Sequence, residues 1–151
     1  MQIVDFRADL AGAFKALNEA WITHYFRLER KDIEVLSDPQ GRIIDGGGKI
    51  VFVVEDGAAI GCCALMALPD GGFEVAKMAV AEPHKGRGLG RALMAACVER
   101  ARAAGAPRLY LETNSALAPA LSLYRSFGFQ KIPPAQPSPY ARADVVMELK
   151  L

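Results

Sequence analysis

The stretch Lys77-Met78-Ala79-Val80-Ala81-Glu82-Pro83-His84-Lys85-Gly86-Arg87-Gly88-Leu89-Gly90 decides how this chain folds. Its first half closes a run from Phe73 to Val80 with the composition of a β-strand. Its second half is a glycine-rich turn, after which Leu89, Leu93, Cys97 and Ala101 recur every fourth residue with Ala92 and Ala96 beside them. That spacing predicts an amphipathic helix over 88–104. Arg100 and Arg102 suit its C-terminal dipole, and Gly105 and Pro107 stop it. In a strand, turn and helix of this kind the first backbone N–H groups have no helical partner and can converge on one anion. Glycine lets the backbone approach an oxyanion closely, and successive turn amides make a concave nest. Lys85, Arg87 and Arg91 add charge, and His84 can donate a further hydrogen bond. The segment is a diphosphate cradle.

Working outward, 108–113 (with Leu109, Tyr110 and Leu111) is expected to be a strand parallel to the earlier one through the helical crossover. Pro119 sets the first turn of another helix, which Gly128 closes. Residues 129–132 and 145–151 are expected to pair as final strands, separated by a loop holding Pro133, Pro134, Pro137 and Pro139. Upstream, Leu10, Phe14, Leu17, Trp21 and Tyr25 recur at helical spacing, so they are expected on one helix face. Asp32, Val35 and Leu36 suggest a second short helix ending near Asp38 and Pro39. Residues 49–55 are rich in Val, Ile and Phe, and Asp56-Gly57 then signals a hairpin into a strand over 59–68. The predicted order, α-α-β-β-β-α-β-α-β-β, describes an α/β chain with one mixed sheet and helices on its faces.

Composition sets the outer limits. With 151 residues, 52% of them hydrophobic, a single domain over 1–151 can bury a core without staples. Eighteen Lys and Arg stand against 17 Asp and Glu, giving +1 and no long-range field, so neither nucleic acid nor an anionic membrane is the expected partner. No run approaches the roughly 20 apolar residues of a membrane span. Asp5, Arg7 and Asp9 occupy the place of an apolar leader core, so a cytoplasmic location is expected. Cys62 and Cys63 point to opposite strand faces and Cys97 lies in a helix. Without CxxC or Cys/His spacing, neither a disulfide framework nor a metal site is expected.

Two other phosphate-binding designs do not match. A Rossmann turn would carry glycine three positions after Gly88, where Arg91 stands, although Glu112 at the end of the next strand is where a ribose-binding acid would be. A P-loop would place Gly-Lys-Ser/Thr after the turn, and that triplet is absent.

Residues 85–90 do resemble the Arg/Gln-x-x-Gly-x-Gly/Ala pyrophosphate loop of the GCN5-related N-acetyltransferases, with Lys85 in place of the usual Arg or Gln. Residues 77–83 are similar to that family's fourth strand. Leu111-Glu112-Thr113-Asn114, with Leu121-Ser122-Leu123-Tyr124-Arg125-Ser126-Phe127-Gly128-Phe129, is similar to its second signature. The resemblance covers about 73–129 and implies acetyl-coenzyme A as co-substrate, with direct attack of an amine on the thioester. It also implies that the strand holding Met78, Ala79 and Val80 pairs with the pantetheine amides, that a bulge there aims an amide at the thioester carbonyl, and that 84–91 hold the pyrophosphate. Asn114 would orient the coenzyme arm and Tyr124 would be the general acid near sulfur.

Acetyl transfer also needs a neutral amine. Glu74 is the first candidate base, with Ala76 and Met78 expected on its strand face, and Glu112 is the competing acid. By the same resemblance the acceptor is shaped by 21–38 and 133–144. Trp21, Tyr25, Phe26 and Tyr140 are candidates for an apolar pocket, and Arg27, Arg30 and Arg142 for a carboxylate clamp. A small-molecule amine or amino-acid derivative is preferred over protein as acceptor. The alternatives are a coenzyme-binding sensor without turnover and a covalent relay through Cys62 or Cys63. The sheet's exposed ends leave a homodimer open.

Overall fold

A computed structural model describes residues 1–151. The elements are β1 (Gln2–Asp5), α1 (Ala11–Tyr25), α2 (Arg30–Ser37), β2 (Lys49–Glu55), β3 (Ala58–Ala67), β4 (Phe73–Val80), α3 (Leu89–Ala103), β5 (Arg108–Thr113), α4 (Ala118–Ser126), β6 (Gln130–Ile132) and β7 (Val145–Lys150). The strands form one sheet in the order β1-β2-β3-β4-β5-β7-β6. Only β4 and β5 are parallel, as a helical crossover requires. The β2–β3 hairpin turns at Asp56 (φ 52°) and Gly57 (φ 79°), the left-handed pair that matches the strands' twist.

The sheet is covered on both faces. Against one face α3 buries Leu89, Leu93, Met94, Cys97 and Ala101 among Val51, Cys63 and Leu109. Leu93 is fully buried, and side chains of this type contribute about 1.5–3 kcal/mol each on burial. Against the other face Phe14 and Ile22 of α1 and Val35 and Leu36 of α2 pack on Phe52, Cys62 and Ala79. Cys62 and Cys63 thus fall on opposite faces, as strand alternation requires.

Three sequence expectations fail, each for an identifiable reason. Strand β1 is missing from the predicted order because Gln2-Ile3-Val4-Asp5 places its two apolar residues side by side and carries no period-two alternation. It forms by pairing with β2, Gln2 opposite Val54 and Asp5 opposite Val51. The buried face of α1 holds Phe14, Asn18 and Ile22, while Tyr25 is 46% exposed. A polar residue at a core position had displaced the apolar pattern. On β4, Glu74 and Ala76 do not share a face with Met78. Lys77 adopts φ 54° and the register with β3 shifts between Cys62 and Ala64, so one residue is inserted and the alternation reverses. Phe73 and Val75 before the bulge, and Met78 and Val80 after it, all face the α3 layer, whereas Ala79 faces the α1 layer.

Candidate active site

The site follows from where the sheet opens. Strands β4 and β5 are in register only at Phe73–Leu109 and Glu74–Tyr110. Beyond Glu74 they diverge, which leaves the β4 edge facing β5 without a strand partner. A cleft of about 620 Å³ fills this gap, lined by Met78, Val80, Gly86, Gly88, Gly90 and Leu123 among others. At its head Gly86 (φ 81°) and Gly88 (φ 78°) hold the left-handed conformations that turn the chain into α3. The first amide bonded into the helix is that of Ala92, to the Gly88 carbonyl at 3.1 Å, and the amides of 86–91 have no backbone partner. Unpaired amides at a helix N-terminus are the condition that an anion nest requires.

The charged side chains around the turn divide. His84 and Lys85 line the cleft. The Lys85 ammonium meets Glu82 at 2.9 Å and sits 4.9 Å from the Tyr25 ring centre. Arg87 instead forms a two-pronged bond to Glu55, at 2.8 Å on each oxygen, and lies 2.7 Å from His84 Nδ1. Arg91 stacks over Phe127, 5.5 Å from the ring centre. Neither arginine lines the cleft, so the positive rim predicted from three basic residues reduces to Lys85.

A second cavity, of about 110 Å³, continues from the first. Trp21, Phe26, Met78, Leu117 and Ala120 line both. Its own wall brings together Glu74, Glu112, Tyr124, Tyr140, Lys77 and Arg142. Burial, reinforced by the charge of Glu112, raises the Glu74 carboxyl from 4.5 to about 7, against the opposing pull of Lys77 and Lys31. Glu112 accepts hydrogen bonds from Tyr110, at 2.8 Å, and from Ser138. Burial, then the nearby Cys63, raises the Tyr124 phenol far above its usual value, and no protein group hydrogen-bonds it. The phenol therefore stays protonated, with its hydroxyl free for a ligand. Asn114 spends both ends of its amide locally, donating to the Arg142 carbonyl (2.6 Å) and accepting from the Ala116 amide (2.8 Å). It ties the last loop to β5 and lines the second cavity rather than the cleft.

The bulge residue Lys77 reaches across to α2. Its ammonium lies 2.7 Å from Asp32 and donates to the Tyr140 hydroxyl at 3.0 Å. Arg142 grips both oxygens of the same Asp32, at 2.7 and 2.8 Å, and meets Glu29 at 3.2 Å. Asp32 is fully buried; burial alone would raise its pKa, but the bonds from Arg142 and Lys77 outweigh that and hold it near 2. Arg142 is thus engaged by the protein's own carboxylates. Arg27 and Arg30 are exposed and line neither cavity, and Arg30 pairs with Glu34 at 3.5 Å. The carboxylate clamp expected from these arginines is therefore not assembled. Trp21, Phe26 and Tyr140 do form an aromatic wall, and Tyr25 lies on the cleft instead.

Sequence reasoning passed over Asn18, Asp32 and Lys77 at this site. An isolated Asn or Asp on a helix carries no motif, and a left-handed lysine has no local signal. Cys62 and Cys63 are fully buried. Burial pushes the Cys62 thiol up to about 12, and contact with Cys97 and burial raise that of Cys63, the opposite of an activated nucleophile. No helix is long and apolar enough to cross a membrane.

Known proteins share this fold. The family model "Acetyltransferase (GNAT) family" matches residues 10–129. An IAA acetyltransferase of Azospirillum brasilense is 33% identical over 99 residues, 65% of this chain, and the match spans 60% of that relative's length. A GNAT-family acetyltransferase structure from Staphylococcus aureus superposes with a TM-score of 0.88 at 15% identity, covering 99% of this chain and 98% of the other. The phosphinothricin acetyltransferase of Sinorhizobium meliloti, in complex with acetyl-CoA, gives 0.80 at 18% identity, covering 99% and 88%. With its glycine turn, bulged β4 and split sheet all inside or beside the matched span, the chain belongs to the GNAT family of acetyltransferases.

Proposed function

We propose that this protein transfers an acetyl group from acetyl-CoA to a small primary amine, by direct attack within a ternary complex. The observation that carries the reading is the continuity of the two cavities: the cleft at the glycine turn runs into a pocket whose wall holds both Glu74 and Tyr124. The pyrophosphate would lie on the amides of 86–91 and the pantetheine arm along the unpaired edge of β4. The acetyl-CoA held by the Sinorhizobium relative supports that coenzyme.

In this mechanism the ammonium first loses one proton to solvent, and the neutral amine passes a second to Glu74 as its bond to carbon forms; a carboxyl near 7 is far better matched to that task than an ordinary glutamate near 4.5. The nitrogen lone pair attacks the thioester carbonyl, forming a C–N bond while an N–H on the bulged strand stabilises the oxyanion. Collapse breaks the C–S bond and its electron pair leaves on sulfur. A thiol with a reference pKa of about 8.5 is a weaker base than a phenolate of about 10, and burial widens that gap at Tyr124. Tyr124 therefore stabilises the departing sulfur through a hydrogen bond, and the sulfur takes its final proton from solvent or from Glu74.

A thermal-shift titration with acetyl-CoA, coenzyme A, NADH and ATP tests the coenzyme, since a ligand at 100 times its Kd adds about 2.7 kcal/mol to stability. Stabilisation by the two coenzyme A forms alone is expected, and a response to NADH or ATP without them would overturn the reading. For the chemistry, Tyr124→Phe is expected to lower kcat about tenfold or more with acetyl-CoA affinity unchanged. Unaltered turnover would remove Tyr124 from the mechanism.

A further inference from the structure

Each cation in the wall of the second cavity is already engaged. Lys77 is bonded to Asp32 and Tyr140, and Arg142 to Asp32 and Glu29. Their side chains are only 4% and 15% exposed, so neither has much surface to offer a ligand. Facing them, Glu74 makes no hydrogen bond that would offset its burial, and Glu112 stands close enough to raise it. The remaining nearby cation, Lys31, lies on the exposed surface. The polar capacity left over is one of acceptors. It would bind a donor-rich, positively charged group and leave a carboxylate unpaired.

Asn18 supplies an independent observation. It lines the same cavity, is fully buried, and donates its amide N–H to the Phe14 carbonyl at 2.9 Å and to Cys62 Sγ at 3.4 Å. Its Oδ1 is the one buried side-chain polar atom without any partner. A buried carbonyl oxygen left unpaired bears its desolvation cost in full, and an N–H donor arriving in the cavity would relieve it. The volume is also restrictive. About 110 Å³ is small against the roughly 300–1,000 Å³ of sites for drug-sized ligands, so only the amine head and a few adjoining carbons fit within the enclosed part.

Resting on the transferase reading above, we propose that the acceptor is a small amine with no acid group beside the reacting nitrogen, an alkyl- or arylalkylamine. Glu74 and Asn18 Oδ1 receive the N–H donors, and the Trp21 and Phe26 wall receives the apolar body. The pairing of Lys77 and Arg142 with Asp32 makes this selection, because it removes the two charges that would otherwise hold an α-carboxylate. Free α-amino acids are the rejected class.

The experiment uses the acetyl-CoA-loaded protein with amines matched to their amino acids: phenethylamine against phenylalanine, and isoamylamine against leucine. Coenzyme A release gives kcat/KM, and calorimetry on the coenzyme A complex gives acceptor binding. The amines are expected to exceed their carboxylated partners about 100-fold, which is about 2.7 kcal/mol at roughly 1.4 kcal/mol per tenfold. Asn18→Leu, which removes the orphan oxygen along with its bonds, is expected to raise the amine KM about tenfold with the acetyl-CoA KM unchanged. Equal or better use of the amino acids overturns the proposal. So does an absence of binding and turnover with all four probes while acetyl-CoA still binds, and that result leaves the transferase reading in place. Failure to bind acetyl-CoA at all would instead overturn the transferase reading itself. An Asn18→Leu protein with both KM values unchanged removes Asn18 from the acceptor site, and one with both raised assigns it a structural role only.

Discussion

The two cavities are built in opposite ways. The first cleft, the proposed donor site, is lined by Met78 and Val80 of one strand and by Gly86, Gly88, Leu89 and Gly90 of the turn, so a large part of its wall comes from a single stretch of chain. The second cavity, the proposed acceptor site, takes its polar surface from side chains on α1, β4, β5, α4 and the last loop, some separated by more than 100 residues, as with Asn18 and Arg142. A backbone nest suits a coenzyme whose diphosphate does not change, and it tolerates side-chain variation such as Lys85 for Arg or Gln. A pocket of side chains suits a partner that must be discriminated, because each contact can be altered separately.

That contrast can be broken at either end. The largest effect is expected at Asp32. Asp32→Asn leaves Lys77 and Arg142 buried and under-compensated, and should destabilise the fold by about 3–5 kcal/mol in chemical denaturation while the donor cleft keeps its affinity in the folded fraction. Because Asp32 is held near 2, its contribution is complete above its ordinary 3.8 and is lost as pH falls through about 2.

Next comes Glu74→Gln, expected to lower kcat/KM about 100-fold without changing acetyl-CoA binding. In the unmodified protein kcat/KM should rise with pH and level off above about 7 as Glu74 loses its proton. The variant should lose that rise. Stability runs the other way: the raised Glu74 favours the protonated fold, so its contribution is full below 4.5 and is lost as pH climbs through about 7. A pH profile unchanged in the variant would transfer the base role to Glu112 or to solvent.

On the donor side Gly88→Ala places a Cβ at φ 78°, where space is open but the left-handed backbone costs about 1–2 kcal/mol. Acetyl-CoA affinity should fall about tenfold by titration, with acceptor selectivity unchanged. The smallest effect belongs to Arg87→Ala. Its guanidinium is committed to Glu55 at a half-exposed site, so acetyl-CoA affinity should change by less than about threefold. A larger loss would show that Arg87 leaves Glu55 for the coenzyme.

The legibility of each region follows the same division. Strands β2 and β5, the 56–57 hairpin, helix α3 and the glycine turn lie where the sequence places them, because each depends on neighbours within a few residues. The resemblance singles out Tyr124, the need for a base singles out Glu74, and both line the second cavity. The face assigned to Met78 was wrong because a bulge at a non-glycine residue leaves no local mark. The carboxylate clamp failed because a sequence shows Arg142 but not the buried Asp32 that occupies it.

By itself the sequence determined the family, the strand-turn-helix around the glycines, and which residues are candidates for the proposed chemistry. Those are properties of backbone and short-range spacing, which persist wherever the segment folds. Only the tertiary structure decided which charges cancel: Asp32 against Lys77 and Arg142, Arg87 against Glu55, and Glu74 left raised beside Glu112. Ionisation and selectivity depend on distance and burial between residues far apart in the chain, and those distances exist only once the helices and the last loop close over the sheet.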